Sequence, residues 1–407
     1  MWGLVFTVFA VAGVIGFIYV VLGFRRFAFM KRIKNRKKTS WGLALAIPAL
    51  ILVLLLVWNV MNAVVIIIHW LVFWILCDLV AVIIRFFVGK IRKKTGKAAE
   101  TGATLSENTE NQNGDENEKK KEASNEHYKP YYAGAAAFII TVTYMLYGWF
   151  SAHNVVETDY RIETEKMLKG ESLRVVLIAD SHTGAIFDGD RFKEYAKEIE
   201  GVNPDIVILA GDMVDDGSTY ENMVKSCEAL GSIKSTYGSI YVFGNHDKRY
   251  FGNGYYTVEQ IRESMAANGV TILEDEHVAF NDNKICVIGR QDANVASRKA
   301  PIMLEANMNN DGISDDAFII VADHQPTDCD AESRMHFDLV VSGHTHGGQM
   351  FPIGEISKIF GMNDIIYGLE ERNGTSFVVT SGIADWEIPF KMGCKSEYVV
   401  IDVIGTK

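Results

Sequence analysis

Cysteine is scarce and poorly spaced for metal work: the 407 residues hold five, at positions 77, 227, 286, 329 and 394, with no Cys-x-x-Cys pair. That excludes a zinc ribbon or any other site built on such spacing. Cys77 falls in an apolar span and Cys286 in the run KICVIG, where a buried free thiol is the ordinary case. The sequence does not choose a disulfide among Cys227, Cys329 and Cys394. Charge is the second absence. Residues 1–24 carry none, and roughly 20 apolar residues suffice to cross a bilayer. A secretory signal would begin with a positive stretch and end at a small-residue cleavage site, and MWGLVF has no such charge, so this segment reads as a membrane span.

Three further apolar stretches follow the same logic. The block 41–88 is about twice one span and divides into helices at about 41–58 and 63–88, hinged at WNVMN, and 131–150 is the fourth. Asp78 and Arg85 lie seven apart in the third span, which predicts an ion pair or a snorkelling arginine rather than a transport pathway. The loops set the orientation. Residues 25–38 hold eight Lys/Arg and residues 90–97 five more, while the N-terminus, WNVMN and 151–160 hold neither Lys nor Arg. Both basic loops are therefore expected on the cytoplasmic side, placing everything after residue 150 outside the cytoplasm in a multi-pass cell-membrane protein. Residues 98–129, rich in Asn, Glu, Lys and Ser, lack the apolar content to fold alone and read as a disordered cytoplasmic loop. Residues 151–170 read as a linker to a catalytic domain at 171–407.

Net charge divides along the same line. Residues 1–150 hold 18 Lys/Arg against 9 Asp/Glu, so the remainder holds 22 against 42, a balance of −20. A domain this acidic is unsuited to gripping nucleic acid by its phosphates, and its excess carboxylates suit cations.

From residue 171 short Val/Ile/Leu runs alternate with amphipathic stretches: LRVVLIAD, DIVILAGD, SIYVFGNHD, FIIVADH and FDLVVSGHTH. Such runs fit strands buried on both faces of an α/β core. Each run ends in metal-binding chemistry: Asp180 and His182, Asp212, Asn245 with His246 and Asp247, His324, then His344 and His346. In open α/β sheets that C-terminal edge is where ligands bind. The i, i+2 spacing of DSH and HTH would send both side chains of each pair from one face of an extended segment. Singly each motif has a plain reading as a turn, an Asx-turn or a core histidine. Five of the ten histidines at strand ends, beside Gly, Asp or Asn, point to a metal site instead. Mixed N/O ligands without Cys suit Mn, Fe or Zn, and their number exceeds one tetrahedral ion, so a bridging carboxylate serving two metals is expected. Asp188, Asp215 and Asp216 read as solvated loop residues. Arg290, Asp292 and Gln349 follow predicted strands and either touch substrate or order the site. His153, His277 and His336 lie outside the motifs.

The series D-x-H, G-D, G-N-H-D, a lone His after an apolar strand, and G-H-x-H resembles the calcineurin-like metallophosphoesterase superfamily over about 171–407. SGHTHGGQMFP is similar to its bacterial membrane-anchored branch. The resemblance implies a four-layer α/β/β/α sandwich with two divalent metal ions at the strand ends. It implies that Asp180, His182 and His346 hold one ion, that Asn245, His324 and His344 hold the other, and that Asp212 bridges them. By the same resemblance His246 is the non-ligand histidine that stabilises charge or protonates the leaving oxygen, with Asp247 holding its ring or capping a helix. The activity implied is in-line phosphoester hydrolysis by an activated hydroxide, and the short membrane tether points to a phosphodiester or pyrophosphate in a lipid or envelope-related substrate. A phosphomonoesterase of nucleotides or phosphoproteins is the alternative within enzymes. A non-catalytic sensor of a phosphorylated ligand would be expected to have a degenerate site, whereas no ligand is missing here.

Overall fold

The computed structural model describes residues 2–27, 30, 37–100, 131–215, 217–248 and 255–407. The chain divides into two compact units, Met1–Met145 and Leu146–Lys407.

The first unit is helical. It contains α1 (Trp2–Phe24), α2 (Lys37–Trp58), α3 (Val60–Glu100) and most of α4 (Tyr132–His153). Within these, Thr39–Trp58, Val60–Ile91 and Tyr132–His153 are long and apolar enough to cross a membrane, and Gly13–Phe24 of α1 is a shorter apolar stretch. The hinge falls at Asn59, whose side chain accepts from the Asn62 amide at 2.9 Å and so starts α3. Helix α3 runs past the expected end at 88 to Glu100. Of the expected disordered loop 98–129, residues 98–100 therefore close that helix, and the rest lie outside the described residues.

The expected Asp78–Arg85 pair does not form. Asp78 instead accepts from Arg26 at 2.5 Å and from the hydroxyls of Tyr19 and Tyr131, each at 2.6 Å. A half-buried carboxylate in an apolar span is costly unless paired and hydrogen-bonded. A cation and two phenols from other segments satisfy it better than one arginine two turns along the same helix.

The second unit is a four-layer α/β/β/α sandwich. One six-stranded sheet has the order β1 (Val156–Thr164), β12 (Glu397–Gly405), β2 (Ser172–Ile178), β3 (Ile206–Ala210), β4 (Ser239–Val242), β5 (Thr271–Ile272). The other runs β10 (Gly368–Arg372), β11 (Thr375–Val379), β9 (Leu339–Ser342), β8 (Phe318–Ala322), β7 (Ile285–Gly289), β6 (Glu276–Phe280). The two-residue strand period builds the layers. In β2, Val175 and Leu177 pack between the sheets with Ile208, Ile320 and Val341. Val176 and Ile178 face the other way, under α5 (Gly189–Glu200), α6 (Tyr220–Gly231) and α7 (Val258–Ala267). On the far side of the second sheet, Ile319 and Phe377 pack against Leu304 and Met308 of α8 (Pro301–Asn310). A strand covered on both faces must be apolar at every position, which is why these runs do not alternate. Two short helices complete the unit, α9 (Cys329–Glu332) and α10 (Ile353–Ile359).

The expected linker 151–170 is corrected. Residues 156–164 form β1, paired in parallel with β12 from Val156↔Glu397 to Thr164↔Gly405. Only Asn154 and Val155 separate α4 from β1. The backbone groups of β12 would otherwise form an open edge, and β1 satisfies them.

Candidate active site and metal centre

Strands β2, β3 and β4 run parallel in one sheet and β7, β8, β9 and β11 in the other, so their C-terminal ends deliver side chains to one edge. Every ligand expected from the sequence arrives there. Asp180, His182 and His346 bring one donor atom each to within 4.8 Å of one another, as do Asp212, His324 and His344. The Oδ2 atom of Asp212 is 3.2 Å from His324 Nε2 and 3.8 Å from His182 Nε2, so this carboxylate stands between the two groups. Asn245 Oδ1 lies 3.2 Å from His324 Nε2. His344 and His346, though one residue apart, face different groups.

The local backbone differs from the extended segments expected. Asp180, His182, Asp212, His344 and His346 have φ of 54°, 37°, 53°, 70° and 49°. Left-handed conformations of this kind cost non-glycine residues free energy and concentrate at functional sites. A continuing strand would carry its side chains apart at about 3.3 Å per residue, whereas a left-handed turn at the strand end gathers them.

Two features pack the centre tightly. A Cβ on Gly343 would meet Asp180 Oδ2 at 2.5 Å, and one on Gly244 would overlap the Asp212 carboxylate and its amide. Gly244→Ala is therefore expected to push Asp212 aside and weaken metal affinity by about 10- to 100-fold, as for other supporting contacts of a metal ligand. A metal titration of activity measures this. Gly217→Ala, where an added methyl meets nothing within 4 Å, should leave the titration unchanged.

The residues fit a pair of divalent ions by the chemistry of their donors. The Nε2 atom of His182 is buried without a hydrogen-bond partner, a costly arrangement unless a cation uses it. The imidazoles share a pattern. His324 directs Nδ1 to the Ala210 carbonyl at 2.7 Å, His182 directs Nδ1 toward Asp215 at 3.6 Å, and His346 directs Nδ1 toward Asp385 at 3.6 Å. In each, Nε2 turns to the centre. Metal-binding histidines are held this way, with the outer nitrogen facing an oxygen that fixes tautomer and ring orientation.

Electrostatics agree with this reading. Burial pushes His344 and His346 down to about 3, which keeps both rings neutral and ready to donate a lone pair. Burial also presses His324 down, but Asp212, Asp180 and Asp292 outweigh it and hold the ring protonated, up to about 10. A divalent ion would take the place of that proton. Burial would raise Asp212, yet His324, His182 and His246 hold it below the usual carboxylate range.

Around this centre the structure revises several roles. Asp247 does not hold the His246 ring. It is fully buried and accepts from the amides of Asp212 at 2.6 Å, Gly244 at 2.9 Å and Val214 at 3.2 Å, so it ties the β3 and β4 loops together. Among the described residues, Asp215 faces His246, 3.1 Å from its Nδ1. Asp215 is thus part of the site rather than a solvated loop residue. Asp188 caps α5 by accepting from the Arg191 amide, and Asp216 lies outside the described residues. Arg290 is buried and orders the site from behind, donating to Asp323 at 2.9 Å and Glu332 at 2.7 Å beside His324. Asp292 accepts from Gln325 at 2.6 Å, and Gln349 donates to the Ile388 carbonyl at 3.1 Å. His277 and His336 pair with Asp311 and Glu305, outside the site.

Asp385 and Lys391 escaped the sequence reading. Both are fully buried, with Lys391 Nζ 3.1 Å from Asp385 Oδ1 and 2.6 Å from the Ser381 carbonyl. Burial raises Asp385 to about 7 against the pull of Lys391. The available signal was positional: FVVTSGIAD leaves β11 at the same edge as the other motifs.

The carboxylates and imidazoles gathered from both sheets form adjoining donor groups, each able to hold a metal ion. Residues 173–348 match the family model of the calcineurin-like phosphoesterase domain. The chain is 30% identical over 276 residues to a transmembrane protein with metallophosphoesterase domain from Danio rerio, covering 64% of this chain and 60% of that one. It is also 30% identical over 236 residues to an uncharacterized metallophosphoesterase of Helicobacter pylori, covering 58% and 60%. The chain thus spans about 60% of the length of these relatives, which are not confined to bacteria. A solved structure of a Thermus thermophilus protein, TT1561, aligns with 51% of this chain and 89% of its own at 10% identity and a TM-score of 0.35.

Proposed function

We propose that the chain is a membrane-anchored dimetal phosphoesterase that hydrolyses a phosphodiester or pyrophosphate in a lipid or envelope-related substrate. The observation that carries this reading is Asp212 standing between two donor groups that each include a carboxylate and two imidazoles. Asp180, His182 and His346 would hold one ion, Asn245, His324 and His344 the other, with Asp212 shared. A bound pair of Mn, Fe or Zn ions supplies Lewis acidity, acidifying a water and offsetting charge on the phosphoryl oxygens. The protein positions and protonates. His246, edge-on to His182 at a ring separation of 4.9 Å, is placed to give a proton to the leaving oxygen, while Asp215 orients its ring. Asp247 contributes by fixing the backbone that presents Asp212.

The lipid-related substrate is supported by the tether. Soluble phosphoesters need no membrane-bound enzyme, and one span already anchors effectively irreversibly. The catalytic unit begins within the last turns of α4, two residues from β1, so its reach from the bilayer is shorter than a flexible linker would allow. The test is a competition in detergent micelles. kcat/KM is expected to favour an acylated diester or pyrophosphate over its water-soluble headgroup analogue and over simple monoesters. Equal or better turnover of soluble monoesters would promote the phosphomonoesterase reading.

The catalytic unit is proposed to lie outside the cytoplasm, from the thirteen Lys/Arg at 25–38 and 90–97. A reporter active only outside the cytoplasm, fused after Lys407, is expected to be active. Protection of the domain from protease added to intact cells stripped of any outer barrier would reverse the orientation.

A further inference from the structure

Immediately after the His344–Gln349 motif the chain makes an excursion whose large apolar side chains are exposed among the described residues. Helix α10 buries no residue. Phe351, Ile353, Ile356, Ile359, Phe360 and Met362 are 46–79% exposed. The three isoleucines recur every third residue, which places them along one helix face. The base of the excursion is firmly held. Thr345 Oγ1 donates to the Ile366 carbonyl at 2.6 Å, the Asp364 amide donates to the Pro326 carbonyl at 2.9 Å, and Ile365 is buried. A fixed base with an exposed apolar tip is a costly arrangement in water, and such patches mark interaction surfaces.

The same unit has a second exposed apolar stretch. Its first residues are the last turns of α4, where Leu146, Tyr147, Trp149 and Phe150 are also exposed. Two consecutive amides join these turns to the excursion: Lys391 donates to the Gly148 carbonyl at 2.9 Å, and Met392 donates to the Gln349 carbonyl at 2.8 Å. The Met392 side chain packs on Gly148. Gln349, two residues before the exposed tip, is thus tied through Lys391 and Met392 to the end of a helix whose composition suits a bilayer, and Trp and Tyr at that end suit the headgroup boundary. Between the isoleucines the excursion carries one Glu and one Lys, Glu355 and Lys358, so its charge is balanced and insertion rather than electrostatic attraction is the relevant force.

We infer that residues 351–362 are an interfacial membrane-docking element that inserts among lipid headgroups and acyl chains beside the His344–His346 motif. The inference builds on the phosphoesterase reading of the site, because docking here holds the donor groups at the lipid surface. It is tested with the full-length protein, in a Cys77→Ala, Cys394→Ser background, reconstituted into phosphatidylcholine vesicles. A polarity-sensitive dye is placed at Ile359→Cys or, as a control, at Asp316→Cys on the opposite strand edge. Phosphatidylcholine carrying a nitroxide high on its acyl chain serves as quencher. The Ile359 label is expected to be blue-shifted and quenched at least about twofold more than the Asp316 label. Equal quenching at both positions overturns the docking element and leaves a protein partner or a second copy of the chain to cover the patch.

Hydrolysis of bis(p-nitrophenyl) phosphate by the same samples keeps the two readings apart. No turnover with metal loaded counts against the phosphoesterase, whereas turnover without differential quenching counts against docking alone. A triple variant, Ile356→Ser/Ile359→Ser/Phe360→Ser, is expected to keep turnover of this soluble ester and to lose about tenfold on a phosphodiester lipid in vesicles. Equal loss on both substrates would contradict a docking role.

Discussion

Asp212→Ala is expected to abolish metal binding and activity together. The carboxylate lies between His182 and His324, and its Oδ1 accepts from the His246 amide at 2.8 Å, so its removal would take the proposed shared ligand from both donor groups. It also leaves buried imidazoles facing one another without a compensating charge. We expect metal content of the purified variant to fall to background and kcat/KM by roughly a thousandfold or more. Asp212→Asn, which keeps the shape and an acceptor but not the charge, should resemble Asp212→Ala in metal content while retaining the native thermal transition more closely. A fully loaded Asp212→Ala protein would refute the bridging assignment.

His246→Ala is expected to separate metal binding from chemistry. Its ring lies close enough to His182 and Asp212 to join a donor group with them, so placement alone does not exclude ligation. The distinguishing contact is Asp215, which faces both His246 Nδ1 and His182 Nδ1 and is held below the usual carboxylate range because these two rings outweigh its burial. A histidine so oriented and edge-on to a ligand ring suits proton delivery. The variant should keep its metal and lose about a hundredfold or more in kcat. The loss should shrink for substrates whose leaving group needs no proton, such as a nitrophenyl ester. Loss of metal from His246→Ala, with Asp212→Ala fully loaded, would exchange the two roles.

The strand ends were legible because burial on both faces forces continuous Val/Ile/Leu runs, and the polar residues that stop them stand out. Strand β1 was not legible in that way. VETDYRIET lies at a sheet edge, half exposed, and only its period of two, Val156, Thr158, Tyr160 and Ile162, separates it from a linker. A carboxylate facing His246 was missed because sequence neighbours need not be spatial neighbours at a turn. Asp247 points back into the loop amides, while Asp215, part of a run that looked like solvated acid, closes on the imidazole. Asp385 and Lys391 belong to no recognisable motif, and only the topology that aligns β11 with β9 brings them behind His346. In the helical unit helical spacing offered Arg85 as a pair for Asp78 or as a snorkelling arginine, and tertiary structure supplied Arg26 and two tyrosines to Asp78 instead.

The central claim is that two ions act together in one site. Its most direct test is a chelation and readdition experiment on the full-length protein, following hydrolysis of bis(p-nitrophenyl) phosphate as Mn, Fe or Zn is returned to the stripped enzyme. The account predicts that chelation removes activity and that recovery is complete only at about two equivalents per chain. Hydrolysis that survives chelation, or returns in full at about one equivalent, would contradict it.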